Sequence, residues 1–150
     1  MSEIVPGFST NPKLEFIYVT GGNGGLYGRF AMLERDFAYI DQQGRKHIAP
    51  KGMKTDGGSI PRFFWRIVGS PFTYCLPAYI IHDHYCSRAR DIQDKKQMKQ
   101  LRKEADVLFN EMLLWLHENV KGIHCPTWKR RLMYHGVRLG AWFDRPHRVG

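Results

Sequence analysis

Apolar residues in the first third of the chain alternate weakly with polar ones and include many aromatic and β-branched side chains, which predicts short strands. The first predicted strand runs from Leu14 to Val19 and ends at a glycine cluster in residues 21–25, which we interpret as a hairpin turn. The other predicted strands cover residues 29–33, 36–41 and 46–49. The pattern therefore predicts a small antiparallel sheet.

The apolar period changes to that of a helix after residue 100. An apolar stripe predicts a helix that begins near Leu101 and ends near Gly122. The members of this stripe are Leu101, Ala105, Leu108, Phe109, Met112 and Leu116. A further helix is predicted from Thr127 to Phe143, opened by Pro126. The face of this second helix that we expect in the core carries Trp128, Leu132, His135, Leu139 and Trp142.

Residues 77–86, PAYIIHDHYC, join an apolar run to a series of polar and reactive side chains. Pro77 is tolerated in a first helical turn, so this stretch predicts another helix. On that helix His82 lies four residues after Ala78 and shares its inward face. Asp83 points about 100° away from His82, so the two groups serve different contacts.

These elements predict an α+β fold, with a small N-terminal antiparallel sheet followed by about three main helices, two of them forming a hairpin. A length of 150 residues fits one domain with one core. Within this single domain, residues 1–150, we expect three parts. They are an irregular leader at 1–13, a β region at 14–50, and a helical region with a glycine-rich loop at 51–150.

The net charge of +9, from 23 basic and 14 acidic residues, favours an anionic partner. Nucleic acid, phospholipid head groups and anionic envelope polymers all fit, and charge does not choose among them. No apolar run approaches the length of a membrane span, and the N-terminus lacks the pattern of a secretory signal. We therefore expect a protein that is soluble and cytoplasmic when synthesised.

The three cysteines, Cys75, Cys86 and Cys125, form no CxxC pair, which argues against a disulfide framework and a structural zinc site. One bridge, between Cys75 and Cys125, remains open as an alternative. Cys86 lies one turn after His82, but a cysteine on an apolar helix is more typical of inert core than of a nucleophile.

His82 is the residue best suited to general-base chemistry. A histidine can deprotonate water when a carboxylate holds its other ring nitrogen and stabilises the imidazolium. Asp106, on the helix predicted to face His82, is the candidate for that role. Tyr134 and Arg138, four residues apart, form a second polar pair that can reach the same site.

Residues 52–62, GMKTDGGSIPR, predict a loop punctuated by glycines, and two interpretations of it stay open. In one, Asp56 caps a turn in which Gly57 and Gly58 adopt positive φ angles. In the other, the carboxylate and the carbonyl oxygens of the loop wrap a hard cation such as calcium. Asp83 is then the further carboxylate that binds the cation.

Four spaced motifs occur in the order typical of an uncharacterised bacterial and phage family: TDGGSIPRFFW, HDHYC, EADVLF and MYHGVRLG. Over about residues 45–140 the chain resembles this family, domain of unknown function 1353 (DUF1353). The resemblance implies a phage or prophage origin and assigns no activity.

The same motifs are similar to those of the secreted prokaryotic phospholipases of the A2 class, which have a DG-x-S loop, an HD-x-x-Y helix and a facing D-x-x-F helix. This resemblance implies that His82 is the general base, that Asp106 orients it, and that Tyr85 is the supporting tyrosine. It also implies calcium as the cofactor. The implied calcium ligands are Asp56, Gly57, Gly58 and Asp83.

The leading hypothesis is thus a calcium-dependent ester hydrolase, similar to A2 phospholipases, that acts on anionic lipid or another envelope component during phage infection or release. Other virion proteins are further expected partners. The alternative is a non-enzymatic virion or tail component in which the HD and AD motifs form a buried polar network. Nucleic-acid binding is a third hypothesis that rests on charge alone. A catalytic His82 must line an open cleft, whereas a structural one is enclosed.

Overall fold

The computed structural model describes residues 5–8, 14–18, 29–55 and 75–143. In these parts of the chain short strands precede long helices, which confirms the predicted α+β fold. The strands are Gly7–Phe8 (β1), Leu14–Tyr18 (β2), Arg29–Leu33 (β3), Phe37–Ile40 (β4), Lys46–Ala49 (β5) and Lys54–Thr55 (β6). The helices are Leu76–Arg90 (α1), Lys95–Asn119 (α2) and Thr127–Phe143 (α3).

The described strands form two antiparallel sheets of three strands each, with the orders β1-β4-β5 and β2-β3-β6. β4 and β5 make a hairpin, and its turn is fixed by Asp41 at the end of β4. The Asp41 Oδ1 atom accepts hydrogen bonds from the backbone amides of Gln43 and Arg45, at 3.0 and 2.9 Å. This is the local use that aspartate commonly has at the start of a turn.

β1 lies within residues 1–13, which the sequence predicts to be irregular, and two residues are too few to carry a periodic signal. Tertiary packing holds this strand in place. The ring of Phe8 stacks on Phe37 and meets the edge of Trp115, with 5.4 Å between ring centres in both pairs. The Trp115 indole Nε1–H donates to the Pro6 carbonyl oxygen at 3.1 Å.

Replacing Gly7 by alanine is expected to destabilise the protein by about 1–3 kcal/mol, because overpacking a closed site has that cost. Gly7 has φ +141°, and a Cβ atom there would lie 2.5 Å from Trp115 Cζ2. The matched control is Gly52→Ala, since Gly52 has φ +84° and a Cβ at that position meets nothing within 4 Å. Urea titration of both variants, followed by tryptophan fluorescence, separates the clash from the cost of the positive φ angle. Equal free energies of unfolding for the two variants would contradict close packing at Trp115.

The helix boundaries differ from the predicted ones in the charged segment between α1 and α2. α1 continues to Arg90, and α2 begins at Lys95, ahead of the apolar stripe. Asp94 causes this early start, because its Oδ1 atom accepts hydrogen bonds from the amides of Lys96 and Gln97 at 2.8 and 3.1 Å. The first turn of α2 is exposed and polar, so apolar periodicity gave no signal for it.

The predicted apolar stripe of α2 is confirmed as the centre of the core. Ala105, Leu108, Phe109, Met112 and Leu116 are buried, and Leu101 is partly buried. α2 packs against α1 on one side and α3 on the other. None of the described helices is both long enough and apolar enough to cross a membrane.

The predicted inner face of α3 is wrong at Trp128 and His135, whereas Leu132 is partly buried against the core. The side chains of Leu139 and Trp142 lie outside the described residues. Trp128 is 60% exposed and His135 is also exposed, while Met133 and Val137 are buried in their place. Met133 packs against the buried Cys125 just before the helix, with 3.9 Å between Cys125 Sγ and Met133 Sδ.

Cys75 and Cys125 meet in the core where α1 and α3 begin. The hydrogen bond with Cys125, together with burial, raises the pKa of the Cys75 thiol. All three cysteines are buried free thiols, so the structure contains the contact between Cys75 and Cys125 without the bridge.

Candidate functional site

Helix α1 carries His82 into the core because the residues around it on the same face are apolar. Ala78, Ile81 and Cys86 are all buried there. The ring of Phe109 on α2 lies against the imidazole, with 5.1 Å between ring centres. An imidazole in such surroundings needs a polar partner, because a buried polar group without one is costly.

Asp106 on α2 supplies that partner. The His82 Nε2–H group donates to Asp106 Oδ1 over 2.6 Å, and both side chains are only 1% exposed. Such a short distance is typical of a hydrogen bond between charged groups. The structure therefore brings together the pair that the sequence placed on two facing helices.

Arg138 on α3 completes the site. Its Nη1 group donates to Asp106 Oδ2 over 2.8 Å, and its side chain is 41% exposed. One carboxylate thus joins α1, α2 and α3. We name this group of three side chains, His82, Asp106 and Arg138, the Asp106 cluster.

The surroundings of His82 favour its protonated form. Burial by itself lowers the pKa of the imidazole, but hydrogen bonds with Asp106 and Cys86 raise it, and the result is a pKa of about 10. The imidazolium and the Arg138 guanidinium then share the charge of one carboxylate. A general base must be neutral before it accepts a proton, so the protonation state of His82 governs any catalytic role.

The second ring nitrogen of His82, Nδ1, faces a different carboxylate. Asp83 Oδ1 lies 4.0 Å away, which is too long for a direct hydrogen bond, and the Asp83 side chain is 12% exposed. A single water molecule can bridge two polar atoms at such a separation. Cys86 Sγ lies 3.8 Å from the same nitrogen.

A family profile matches residues 31–137, most of the chain, and its description is "Protein of unknown function (DUF1353)". The chain belongs to this family. The DUF1353 segment contains His82 and Asp106, and it ends one residue before Arg138. The resemblance to DUF1353 is thereby confirmed, whereas the resemblance to A2 phospholipases stays a prediction.

Two curated proteins of Sinorhizobium fredii (strain NBRC 101917 / NGR234) are similar to this DUF1353 chain. "Uncharacterized protein y4jT" is 31% identical over 107 residues, which are 70% of the chain and 27% of that protein. "Uncharacterized protein y4iH" is 43% identical over 58 residues, which are 38% of the chain and 24% of that protein. The chain thus spans about a quarter of the length of these relatives. No solved structure matches it.

Only one of the four predicted calcium ligands lies in the part of the chain that the structure describes. Asp56, Gly57 and Gly58 lie outside the described residues, and Asp83 lies within them. Among the residues that the structure describes, no three His, Cys, Asp or Glu side chains form a group that could hold a metal. Calcium takes six to eight oxygen ligands, so Asp83 alone does not make a site. Calcium therefore stays a prediction.

The contacts described for the two predicted supporting tyrosines, Tyr85 and Tyr134, are with residues outside the Asp106 cluster. The Tyr85 hydroxyl lies 2.5 Å from His47 Nδ1 on β5, on the sheet side of α1. Tyr134 has its ring next to that of His135, with 5.6 Å between ring centres. Arg138, predicted together with Tyr134, is the member of that pair that contacts Asp106.

Sequence reasoning missed the partners of Tyr85. His47 Nε2 lies 2.8 Å from Asp41 Oδ2, so Asp41, His47 and Tyr85 form a continuous polar chain. An aspartate before the turn residues QQGR is a recognisable turn signal and could have singled out Asp41. No spacing rule relates His47 to a tyrosine 38 residues later.

Proposed function

We propose that this protein is an ester hydrolase in which His82 is the general base and Asp106 its orienting partner. The observation that supports this most is the 2.6 Å hydrogen bond between His82 Nε2 and Asp106 Oδ1. It fixes the ring and its tautomer, so that Nδ1 is the nitrogen left to accept a proton from water.

In the proposed reaction, the oxygen of water forms a bond with the ester carbonyl carbon while its proton moves to His82 Nδ1. The bond to the alcohol then breaks, and the imidazolium returns the proton to the leaving oxygen. Asp106 keeps its hydrogen bond with Nε2 and stabilises the imidazolium. Arg138 holds the second oxygen of Asp106, which keeps the carboxylate in the plane that the ring requires.

The pKa of His82, about 10, sets a condition on this mechanism. At neutral pH only about one imidazole in a thousand would be neutral. The rate of hydrolysis should therefore rise about tenfold for each pH unit between neutrality and the pKa. An alkaline profile of this kind is the kinetic signature of the proposed base.

The proposed substrate is an ester in anionic envelope lipid, a choice supported by the net charge of +9. Calcium dependence is part of the proposal, with Asp56, Gly57, Gly58 and Asp83 as ligands. We further propose that the protein comes from a phage or prophage and that it acts during infection or release.

A second candidate function, a non-enzymatic virion or tail component, is favoured by one specific observation. His82 is 1% exposed, and its pKa keeps it charged at neutral pH. A buried imidazolium that joins three helices suits a structural network. Enclosure is what the non-enzymatic candidate expects of His82, whereas a catalytic His82 has to line an open cleft. The two candidates differ in whether purified protein turns over an ester.

The test is the release of fatty acid from phosphatidylglycerol vesicles by purified protein at several pH values between about 7 and 10, with calcium or with a chelator. We expect release that increases with pH, requires calcium, and falls to background in His82→Gln. The matched control is His84→Gln, because His84 is a partly buried histidine on the same helix whose pKa is lowered by burial and by Arg88.

Thermal unfolding of both variants separates the loss of the base from the loss of the fold. A folded His82→Gln protein with no activity, beside an active His84→Gln protein, supports the proposal. If the unmodified protein releases no fatty acid at any of these pH values, with or without calcium, the hydrolase is rejected and the non-enzymatic candidate remains.

A further inference from the structure

A cleft lies between the β4–β5 turn and the first half of α2, away from the Asp106 cluster. Its volume is about 410 Å³, within the range of small-molecule sites. The turn contributes Gln43 and Arg45, β5 contributes His47, and α1 contributes Tyr85. Gln100 is among the residues of α2 that form the opposite wall.

The polar chain of Asp41, His47 and Tyr85 ends in this cleft. Asp41 is fully buried. Burial by itself raises the pKa of its carboxyl, but hydrogen bonds from His47 and Arg45 outweigh this and lower the pKa to about 2. An ionised carboxylate only accepts hydrogen bonds, so His47 carries a proton on Nε2 and donates it to Asp41.

This assignment fixes the direction of the next hydrogen bond. When His47 holds one ring proton, its Nδ1 atom is an acceptor, and the Tyr85 hydroxyl donates to it. The lone pairs of the Tyr85 oxygen are then available to a donor in the cleft. The turn by itself needs only the contacts of Asp41 with the turn residues, so the extension through His47 to Tyr85 is an additional feature.

The charges of the described residues that line the cleft cancel. Arg45 and Lys103 are balanced by Glu104 and Glu111, in a chain whose net charge is +9. Glu104 accepts a hydrogen bond from the Gln100 amide at 2.9 Å, which orders the rim. A cleft without net charge does not favour an anion, in contrast to the rest of the chain.

The mixture of groups indicates the class of ligand. The cleft offers donors and acceptors side by side, together with apolar surface from Leu101 and from Val107, which is 53% exposed. Hydroxyl groups both donate and accept, and sugar rings also have apolar C–H faces. A neutral polyhydroxylated molecule matches each of these features.

We propose that this cleft binds a neutral saccharide of about two rings, with Tyr85, held by His47 and Asp41, as its central hydrogen-bonding group. This binding site is separate from the Asp106 cluster and does not depend on the proposed hydrolase.

The test is a titration of isotopically labelled full-length protein with N,N′-diacetylchitobiose, followed by NMR, with glucose 6-phosphate as the charged contrast. We expect saturable shifts at the amides of the β4–β5 turn and of the first half of α2. Tyr85→Phe keeps the ring but removes the hydroxyl, and should weaken binding about fivefold. Asn110→Ala, at an exposed position of α2 outside the cleft, should bind like the unmodified protein.

Gln100→Ala is the second variant, because it changes an exposed rim residue that carries no part of the core. Gln100→Ala should also weaken binding of the disaccharide. This result tests the proposal even if Tyr85→Phe is too unstable to measure. Absence of saturable shifts at about 10 mM disaccharide would overturn the proposal, since a site weaker than that gains little free energy. So would unchanged affinity in both cleft variants, or tighter binding of the phosphorylated sugar.

Discussion

Replacing Asp106 by asparagine is expected to lower the free energy of unfolding by about 3–5 kcal/mol, the range found when one partner of a buried ion pair is removed. Asparagine has nearly the volume of aspartate, so no large cavity contributes to this loss. The variant leaves the buried His82 imidazolium without its counter-charge. The NH2 group of the asparagine must also face either His82 Nε2–H or the Arg138 guanidinium, so two donors would meet in either orientation.

Urea titration at neutral pH measures this effect, and Glu118→Gln is its control. Glu118 is a carboxylate on the same helix but is exposed, so its loss should change the free energy of unfolding by no more than about 0.5 kcal/mol. The double variant Asp106→Asn with His82→Gln should recover part of the stability, because it removes the uncompensated charge. A loss below about 1 kcal/mol in Asp106→Asn would show that the buried pair is not charged.

The parts of the fold that the sequence predicted well are those in which a local pattern and the tertiary structure agree. The apolar stripe of α2 from Ala105 to Leu116 is such a case, because burial of one helix face requires that spacing. β1 is the opposite case. This strand consists of two residues, and the ring of Phe8 packs against Phe37 and Trp115. Phe37 and Trp115 are far from Phe8 in the sequence, so no local pattern predicts these contacts.

Trp128 on α3 shows a limit of predicting a buried face from helical spacing. Helical spacing predicts Trp128 on the same inward face as Leu132 and Leu139, yet Trp128 is exposed. Met133 and Val137 are buried instead, and the contact between Met133 and Cys125 has no signature in hydrophobic periodicity.

The candidate site was predictable to the extent that it depends on helix faces. A histidine on the inner face of one helix and a carboxylate at the edge of another apolar stripe predict a contact, and His82 and Asp106 form it. Tyr85 lies three residues after His82 but contacts β5. Helix α1 thus contributes to two polar clusters, whereas the resemblance to A2 phospholipases implies a single site for His82 and Tyr85.

The stability of the protein should fall as the pH rises from about 6.5 to 9, by about 3 kcal/mol, because of His82. The pKa of His82 is raised from 6.5 to about 10 in the folded protein. Below the lower value both states are protonated, and the full stabilisation by Asp106 is present. Above it the unfolded chain releases the proton while the folded protein keeps it, so the advantage shrinks until the pH passes the folded pKa.

Urea titrations of the unmodified protein and of His82→Gln across this range isolate the effect, since the two proteins differ only at this side chain. The difference between the two proteins should shrink by about 1.4 kcal/mol per pH unit. A difference that is constant with pH would mean that the buried imidazole is neutral. That outcome would remove the ion pair as a source of stability, and it would make His82 a base ready to act at neutral pH, with no alkaline requirement for hydrolysis. The protonation state of one buried ring therefore links the stability of the three-helix contact to the chemistry proposed for it.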